Sequence, residues 1–176
     1  MRFAYILLSY LLSPILVGFL LWRGLENRAY LERFSERFGF FRSPLPANSI
    51  WVHAVSVGEV QAAVPLVNAL LERYPALPVV VTTVTPTGSA RVLDLFGERV
   101  SHCYAPYDLL GSVRRFFRTV QPRIAIIMET ELWPNLYHEC GRRNIPLVLA
   151  SARISPRSVG KYRRFVGLFR EALSHG

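Results

Sequence analysis

Four short apolar runs, alternating with segments of helical periodicity, constrain the fold of this chain more than any other feature. The runs lie at residues 50–55, 79–84, 123–128 and 146–150. Continuous apolar runs of this length are typical of parallel strands that are buried on both faces. The helical patterns lie at residues 60–74, 89–96, 109–120 and 134–143, with a weaker strand pattern at 102–104. The alternation predicts a doubly wound α/β domain with a parallel sheet.

An uncharged apolar stretch precedes this alternation. Residues 3–22 carry no charged side chain, and about 20 such residues are enough for a helix to cross a bilayer. Arginines on the C-terminal side of the stretch place the main body in the cytoplasm by the positive-inside rule. We predict an uncleaved membrane anchor over residues 1–24 and an α/β domain over residues 25–176. A helix lying in the membrane interface is the alternative, since Pro14 and Gly18 interrupt the stretch.

The segment that links the anchor to the first strand also has helical periodicity. Apolar side chains recur at Tyr30, Leu31, Phe34 and Phe38, with charged residues between them. This spacing predicts an amphipathic helix over residues 25–38 that ends at Gly39. The nine residues that follow, 40–48, are predicted to form a loop because prolines punctuate them.

The charge of the chain points to anionic partners. The formal net charge is +9, and arginine supplies 20 of the 21 basic side chains. Guanidinium groups make planar, bidentate contacts with phosphate and carboxylate. Charge alone leaves nucleic acid, an acidic membrane surface and a phosphorylated small molecule open. Cys103 and Cys140 are too few for a disulfide scaffold, so we expect both to be reduced, buried thiols.

Polar residues follow each predicted strand. Since ligands of such sheets bind beyond the carboxyl ends of the strands, these residues are candidates for one binding crevice. They are Ser56, Gly58, Glu59, Thr85, Thr87, Gly88, Glu129, Glu131 and Arg153. Each residue taken alone is more often an ordinary turn or helix-capping residue. Their recurrence after successive strands favours a site.

Several common sites are not indicated by the sequence. It has no GxGxxG after the first strand, no GxxxxGK[ST] and no GxSxG. A dinucleotide-dependent redox enzyme, a P-loop hydrolase and a serine hydrolase are therefore disfavoured, and we expect no cofactor and no metal. His53, Phe116, Phe117 and Trp133 are expected to belong to the core. Nucleic-acid binding would rest on charge alone, so we expect no nucleic-acid partner.

Six motifs along the chain resemble a known family. They are RFSERFGFF, HAVSVGEVQAAVPLVNAL, VTTVTPTGSARV, YAPYDL, METELWPNL and IPLVLASARIS. In this order they resemble the N-terminal half of the Kdo transferases, which add 3-deoxy-D-manno-octulosonic acid to lipid A precursor. The resemblance implies a GT-B glycosyltransferase with two Rossmann-like domains, the first for the lipid acceptor and the second for CMP-Kdo. Nothing resembling the donor domain follows before Gly176, so we expect this chain alone to be inactive.

The resemblance also implies the site and its location. Glu36 is implied to be the catalytic base, and Arg37, Arg153 and Arg157 are candidates for the acceptor phosphates. The polar residues at the strand ends are implied to bind the acceptor, at the cytoplasmic face of the inner membrane, with its anionic lipids as further partners. The residues alone do not select Glu36, because a Glu on the polar face of a helix is usually solvated. A membrane-tethered module that binds anionic glycolipid without catalysis is the alternative.

Overall fold

The computed structural model describes residues 2–129 and 133–151. Five parallel strands form one sheet in the order β3-β2-β1-β4-β5. The strands are β1 (Ile50–His53), β2 (Val79–Thr83), β3 (Ser101–Tyr104), β4 (Ile124–Met128) and β5 (Leu147–Ala150). The chain builds outward from β1 in one direction and then in the other, so the strand order reverses beside β1. This is the predicted doubly wound arrangement, with the weak fifth strand at one edge.

Five α-helices accompany the sheet in the described part of the chain. They are α1 (Arg2–Glu26), α2 (Val57–Arg73), α3 (Pro86–Phe96), α4 (Leu110–Val120) and α5 (Pro134–Arg142). Helices α2 and α3 each begin three residues earlier than the periodicity predicts. The reason is capping, because Ser56 Oγ accepts a hydrogen bond from Glu59 N at 3.5 Å and Thr85 Oγ1 accepts one from Gly88 N at 3.1 Å.

The core has two layers, one on each face of the sheet. The face of α2 and α3 is packed by Val60, Ala63, Val67, Val92 and Phe96. The face of α4 and α5 is packed by Trp51, Val113, Phe116, Phe117, Leu136 and Cys140. The predicted core positions of Phe116 and Phe117 are confirmed, and both cysteines are free and buried. The helices thus cover both faces of the sheet, which leaves the carboxyl edge as the place where ligands of such sheets bind.

The predicted amphipathic helix over residues 25–38 is wrong. The segment instead forms two short 3-10 turns, Arg28–Tyr30 and Phe34–Phe38, and Arg33 between them has a left-handed backbone with φ of 50°. The physical reason is tertiary. The turns direct Glu36 and Arg37 into the protein, where their side chains bond to the backbone beside the sheet. These bonds outweigh the helical periodicity of the segment.

Helix α1 is long and apolar enough to cross a membrane by its length and composition. Pro14 lies inside it and lacks the N–H that would bond to Tyr10 O. The hydroxyl of Ser13 donates to this carbonyl at 2.7 Å, which satisfies the acceptor that the proline leaves free. On the side facing the domain, the Tyr5 hydroxyl donates to Asp108 Oδ2 at 2.7 Å. Most of the remaining apolar side chains of α1 are exposed.

Candidate functional site

The candidate site lies at the carboxyl edge of the sheet, where β1, β2 and β3 end together. Val84 N donates to Val55 O at 3.1 Å, and Ala105 N donates to Thr83 O at 2.9 Å. The parallel pairing therefore continues just beyond the strands, and the residues that leave them emerge side by side. The turn Phe34–Phe38 lies against this edge, because Tyr107 N donates to Arg37 O at 2.8 Å.

Glu36 is buried at the end of β3. Only 9% of the residue is exposed, and its Oε2 accepts the backbone N–H of Tyr104 at 2.9 Å. Arg33 Nη1 lies 3.6 Å from the same oxygen. Glu36 is therefore buried, unlike most Glu residues on the polar face of a helix. The structure holds this carboxylate in a fixed position at the edge where ligands of such sheets bind.

Arg37 is more deeply buried than Glu36. It is 1% exposed, Nη1 donates to Val84 O at 2.7 Å, and the guanidinium carbon lies 4.0 Å from the centroid of the Tyr104 ring. These contacts join the turn to β2 and β3 and so position the neighbouring Glu36. The guanidinium of Arg37 lies beneath the surface of the described structure. A contact between Arg37 and an acceptor phosphate stays a prediction.

Arg33 and His102 form a second polar cluster beside Glu36. Arg33 Nη1 lies 3.1 Å from His102 Nδ1, and Arg33 Nη2 donates to Ser89 Oγ at 2.5 Å. Because a guanidinium can only donate, Nδ1 is the acceptor, and Nε2 carries the proton that it donates to Thr83 Oγ1 at 3.0 Å. Burial and then the charge of Arg33 lower the pKa of His102 to about 3, so the ring is neutral at pH 7.

Sequence reasoning missed Arg33, His102 and Tyr104 as parts of this site. Arg33 carried a signal, since it begins the same RFSERFGFF motif that contains Glu36. Tyr104 carried a signal as well, since it begins the YAPYDL motif. His102 carried none, because it belongs to the weakest strand pattern and meets the RFSERFGFF motif only across 69 residues of sequence. Contacts over such separations are set by the strand order rather than by any local pattern.

The buried His53 and the half-buried His102 should give the protein a pH-dependent stability. Burial lowers the pKa of His53 to about 4, as it lowers that of His102 to about 3. Below about pH 6.5 the unfolded chain binds protons at both rings and the folded chain does not, so stability falls as the pH falls. The free energy of unfolding should drop by up to about 1.4 kcal/mol per pH unit for each histidine between about pH 6 and pH 4.

Urea denaturation at a series of pH values checks this expectation. The variant His102→Gln should show a shallower decrease than the unsubstituted protein over the same range, because one of the two groups is gone. Arg33 contacts His102 in the folded protein, so the comparison is of slopes rather than of absolute stabilities. Equal slopes for the two proteins would show that His102 is not held neutral by folding.

Glu59 and Ser56 are occupied by capping α2. Glu59 is 6% exposed, its Oε2 accepts Val55 N at 2.7 Å, and its Oε1 accepts the Ser56 hydroxyl at 3.1 Å. Both carboxylate oxygens are thus engaged by donors at the start of the helix. These bonds support a role for Glu59 in positioning the start of α2.

The two glycines at the strand ends lie in the first turns of helices rather than in the preceding turns. A Cβ on Gly88 would lie 3.0 Å from Thr85 Oγ1 and 3.3 Å from Thr83 Cβ, so a side chain there would crowd the close approach of α3 to β2. A Cβ on Gly58 would meet nothing nearer than Ser56 Oγ at 3.9 Å. Gly58 is exposed, and within the described residues a side chain at this position would meet no close neighbour. Thr87 is exposed in the first turn of α3.

Left-handed backbone marks the ends of β4 and β5. Glu129 has φ of 57° and Ser151 has φ of 55°, and both residues are exposed. Glu129 N donates to Ala150 O at 2.8 Å, which holds the two ends together. Non-glycine residues in this conformation are strained and occur preferentially at functional sites. Glu131, Arg153 and Arg157 lie outside the described residues.

The sheet and the site together show the structural class to which this protein belongs. This is a doubly wound α/β domain that presents a buried carboxylate and exposed polar groups at the carboxyl edge of a parallel sheet, with an apolar helix attached. Residues 32–175 match the family model described as 3-deoxy-D-manno-octulosonic-acid transferase, or kdotransferase. The chain belongs to the Kdo transferase family and corresponds to its N-terminal domain.

Individual relatives agree with the family match. The chain is 47% identical over 163 residues to a 3-deoxy-D-manno-octulosonic acid transferase of Haemophilus influenzae, which covers 92% of this chain and 38% of the relative. It is 43% identical over 139 residues to the protein of that name from Bordetella pertussis, covering 76% of this chain and 32% of the relative. A probable mitochondrial 3-deoxy-D-manno-octulosonic acid transferase of Arabidopsis thaliana is 36% identical over 156 residues, covering 88% of this chain and 35% of the relative. The chain thus spans less than two-fifths of the length of these relatives.

Proposed function

We propose that this chain is the acceptor-binding half of a GT-B glycosyltransferase that moves Kdo from CMP-Kdo to lipid A precursor. The buried carboxylate of Glu36, fixed at the carboxyl edge of the sheet by Tyr104 N and Arg33, carries the proposal. Family membership supports the reaction class. The donor CMP-Kdo would be held by a second domain, for which the relatives leave room, since the chain covers 38% of the length of the Haemophilus influenzae protein.

Glu36 is the proposed general base. As the acceptor hydroxyl attacks the anomeric carbon of Kdo, its proton passes to the Glu36 carboxylate, the new glycosidic bond forms and CMP leaves with the electron pair of the broken bond. A single displacement of this kind inverts the configuration of the sugar. General-base catalysis requires a fixed carboxylate within reach of the proton. The hydrogen bond from Tyr104 N fixes one oxygen of Glu36 and so orients the group.

The acceptor would lie along the open part of the carboxyl edge. Thr87 and Glu129 present exposed polar side chains, and Gly58 is exposed beside them, with no close neighbour among the described residues. Ser56, Thr85, Glu59 and Gly88 shape this surface through capping and close packing rather than by presenting free groups. Arg37 is proposed as a positioning residue for Glu36, and Arg153 remains a candidate for an acceptor phosphate.

Charge and the apolar helix support a location at the cytoplasmic face of the inner membrane. Lipid A precursor is a bisphosphorylated disaccharide with acyl chains, so an enzyme that uses it must combine a basic surface with access to a bilayer. This chain has a net charge of +9 and an apolar helix of 25 residues. The arginines that follow the helix favour the cytoplasmic side.

The purified chain should bind acceptor and transfer no Kdo. It should show no specific affinity for CMP or CMP-Kdo, because those contacts belong to the proposed second domain. Its binding to lipid A precursor should weaken as salt rises, and weaken further when both acceptor phosphates are removed. Equilibrium binding and a transfer assay with labelled CMP-Kdo check these results. Transfer by this chain alone would contradict the division into acceptor and donor halves.

A membrane-tethered module that binds anionic glycolipid without catalysis is the second candidate. The same crevice, helix and charge serve it equally well. The two candidates differ once a donor domain is joined to this chain, because only an acceptor domain with a catalytic base then supports turnover. Wild-type acceptor binding with no turnover in the joined protein would favour the second candidate.

A further inference from the structure

A groove lined by arginine lies on the outer side of α4 and α5. Its volume is about 500 Å³, and its lining residues are Gly111, Arg114, Arg115, Arg118, Arg142 and Arg143. The arginines of α4 recur at helical spacing opposite the buried face that carries Val113 and Phe117. Five guanidinium groups therefore converge on one surface, on the side of the two helices that faces away from the sheet.

The positive charge of this groove is only partly compensated. Glu139, whose side chain is fully buried, accepts from Arg114 Nε at 3.1 Å, Arg142 Nη2 at 2.8 Å and Arg143 Nε at 3.3 Å. Within the described residues it is the one carboxylate paired with these arginines. Five positive charges against one negative charge leave an excess of four, held close together, which favours a bound anion.

The geometry of the arginines favours phosphate. Guanidinium groups bind phosphate oxygens in bidentate fashion, and several of them can surround one phosphate group. Arg115 donates to Phe38 O at 2.9 Å, which holds its guanidinium in place. Arg118 is exposed and, among the described residues, makes no ion pair, so it is available to a ligand.

The apolar helix reaches the edge of the same groove. Tyr10 Oη of α1 accepts Gly111 N at 2.8 Å, and Tyr5 bonds to Asp108 nearby. At the other end of α1, Gly24 packs against Leu31. Tyr5 and Gly24 lie about 28 Å apart at about 1.5 Å per residue. A helix that contacts the rest of the chain near both of its ends would lie along a bilayer surface, with exposed side chains such as Leu11 and Ile15 directed into the lipid.

We propose that the arginine groove binds the phosphate headgroups of anionic phospholipids in the bilayer that takes up α1. Helix α1 supplies apolar insertion, and the adjacent groove supplies selectivity for negative lipids, so the two together fix the domain on the membrane. This proposal deepens the membrane association proposed above and rests on it. It does not depend on sugar transfer, and among the described residues the groove includes neither Glu36 nor the polar residues at the strand ends.

Vesicle binding by the complete chain tests the groove. We expect binding to vesicles of phosphatidylcholine with one-third phosphatidylglycerol to be about tenfold or more tighter than to phosphatidylcholine alone. The double variant Arg114→Gln, Arg118→Gln should lose most of this preference, since each arginine near an anionic surface favours binding severalfold. The matched double variant Arg73→Gln, Arg91→Gln removes the same charge from α2 and α3 and should change the preference less than twofold.

Further measurements separate the sources of phosphate. Inorganic phosphate and glucosamine 1-phosphate, added at constant ionic strength, should not remove the preference for phosphatidylglycerol. Competition by either would overturn the assignment to phospholipid and favour a site for free phosphate or for a sugar phosphate. An equal loss of the preference for phosphatidylglycerol in both double variants would contradict binding at the groove. It would indicate diffuse attraction by the net charge of the protein. If the chain binds neither kind of vesicle, the proposed membrane association is contradicted. That result differs from vesicle binding without a preference for phosphatidylglycerol, which contradicts only the role of the groove.

Thermal melting controls for folding, since Arg114 also pairs with Glu139. The single variant Arg118→Gln breaks no ion pair within the described structure, so it should keep the wild-type melting temperature while reducing the preference for phosphatidylglycerol about threefold or more. Wild-type preference in this folded single variant, together with wild-type preference in the double variant, would overturn the proposal.

Discussion

Replacing Glu36 by Gln in a full-length enzyme that carries this domain should slow Kdo transfer by roughly 10²-fold or more. The amide keeps the volume of the side chain and an oxygen that accepts the Tyr104 N–H, whereas it removes the ability to take a proton. The loss should therefore appear in kcat, and the KM for the acceptor should change little. Steady-state kinetics with saturating CMP-Kdo and varied acceptor measure both quantities.

Glu32→Gln is the matched control for this substitution. Glu32 lies one turn earlier in the same linking segment and is exposed, so the variant removes the same charge without touching the edge of the sheet. It should retain near-wild-type turnover, and both variants should melt close to the wild-type temperature. A Glu36→Gln enzyme with wild-type turnover at saturating acceptor would remove Glu36 as the base. Glu59 and Glu131 would then be tested as the base. Both carboxylate oxygens of Glu59 already accept hydrogen bonds within the protein.

The second large effect is expected on stability. Glu139→Gln should lower the free energy of unfolding by about 2 kcal/mol, because the buried carboxylate that holds Arg114, Arg142 and Arg143 together loses its charge. The partial exposure of these arginines keeps the loss below that of a fully buried pair. Denaturation by urea near pH 7 measures the difference.

The pH dependence of this difference has a definite sign. Burial opposes ionisation of Glu139, but hydrogen bonds from Arg142, Arg114 and Arg143 prevail and lower its pKa to about 2. A carboxyl group with a depressed folded pKa stabilises the protein above its unfolded pKa and loses that contribution as the pH falls. The advantage of the wild-type protein over Glu139→Gln should therefore shrink between about pH 4.5 and pH 2.

Asp94→Asn provides the comparison for a surface ion pair. Asp94 pairs with Arg91 at 2.6 Å, yet 67% of its side chain is exposed. Its loss should cost under about 1 kcal/mol, as is usual for exposed pairs. A Glu139→Gln variant that unfolds no more easily than Asp94→Asn would show that the three arginines do not depend on the buried carboxylate.

The sequence by itself determined the fold class and the edge at which the site lies. Continuous apolar runs need burial on both faces, and the helices between them supply the crossovers that parallel strands require, so the alternation leaves little choice of architecture. Because parallel strands end at the same edge, polar residues such as Ser56, Thr85 and Glu129 could be placed there from their positions alone. The family could also be recognised from the sequence, because its motifs lie at these strand ends and in the segment around Glu36.

Only the tertiary structure decided the state of the linking segment and of the groups beside it. The helical periodicity of residues 25–38 reflects a local preference for helix that is worth only a modest free energy. The hydrogen bonds of Glu36 to Tyr104 N and of Arg37 to Val84 O outweigh this preference. Whether Glu36 is solvated or buried depends on contacts across 68 residues, which no local pattern encodes. The arginine groove was hidden for the same reason, because α4 and α5 are brought together by two strands that are neighbours in the sheet and their arginines meet only there.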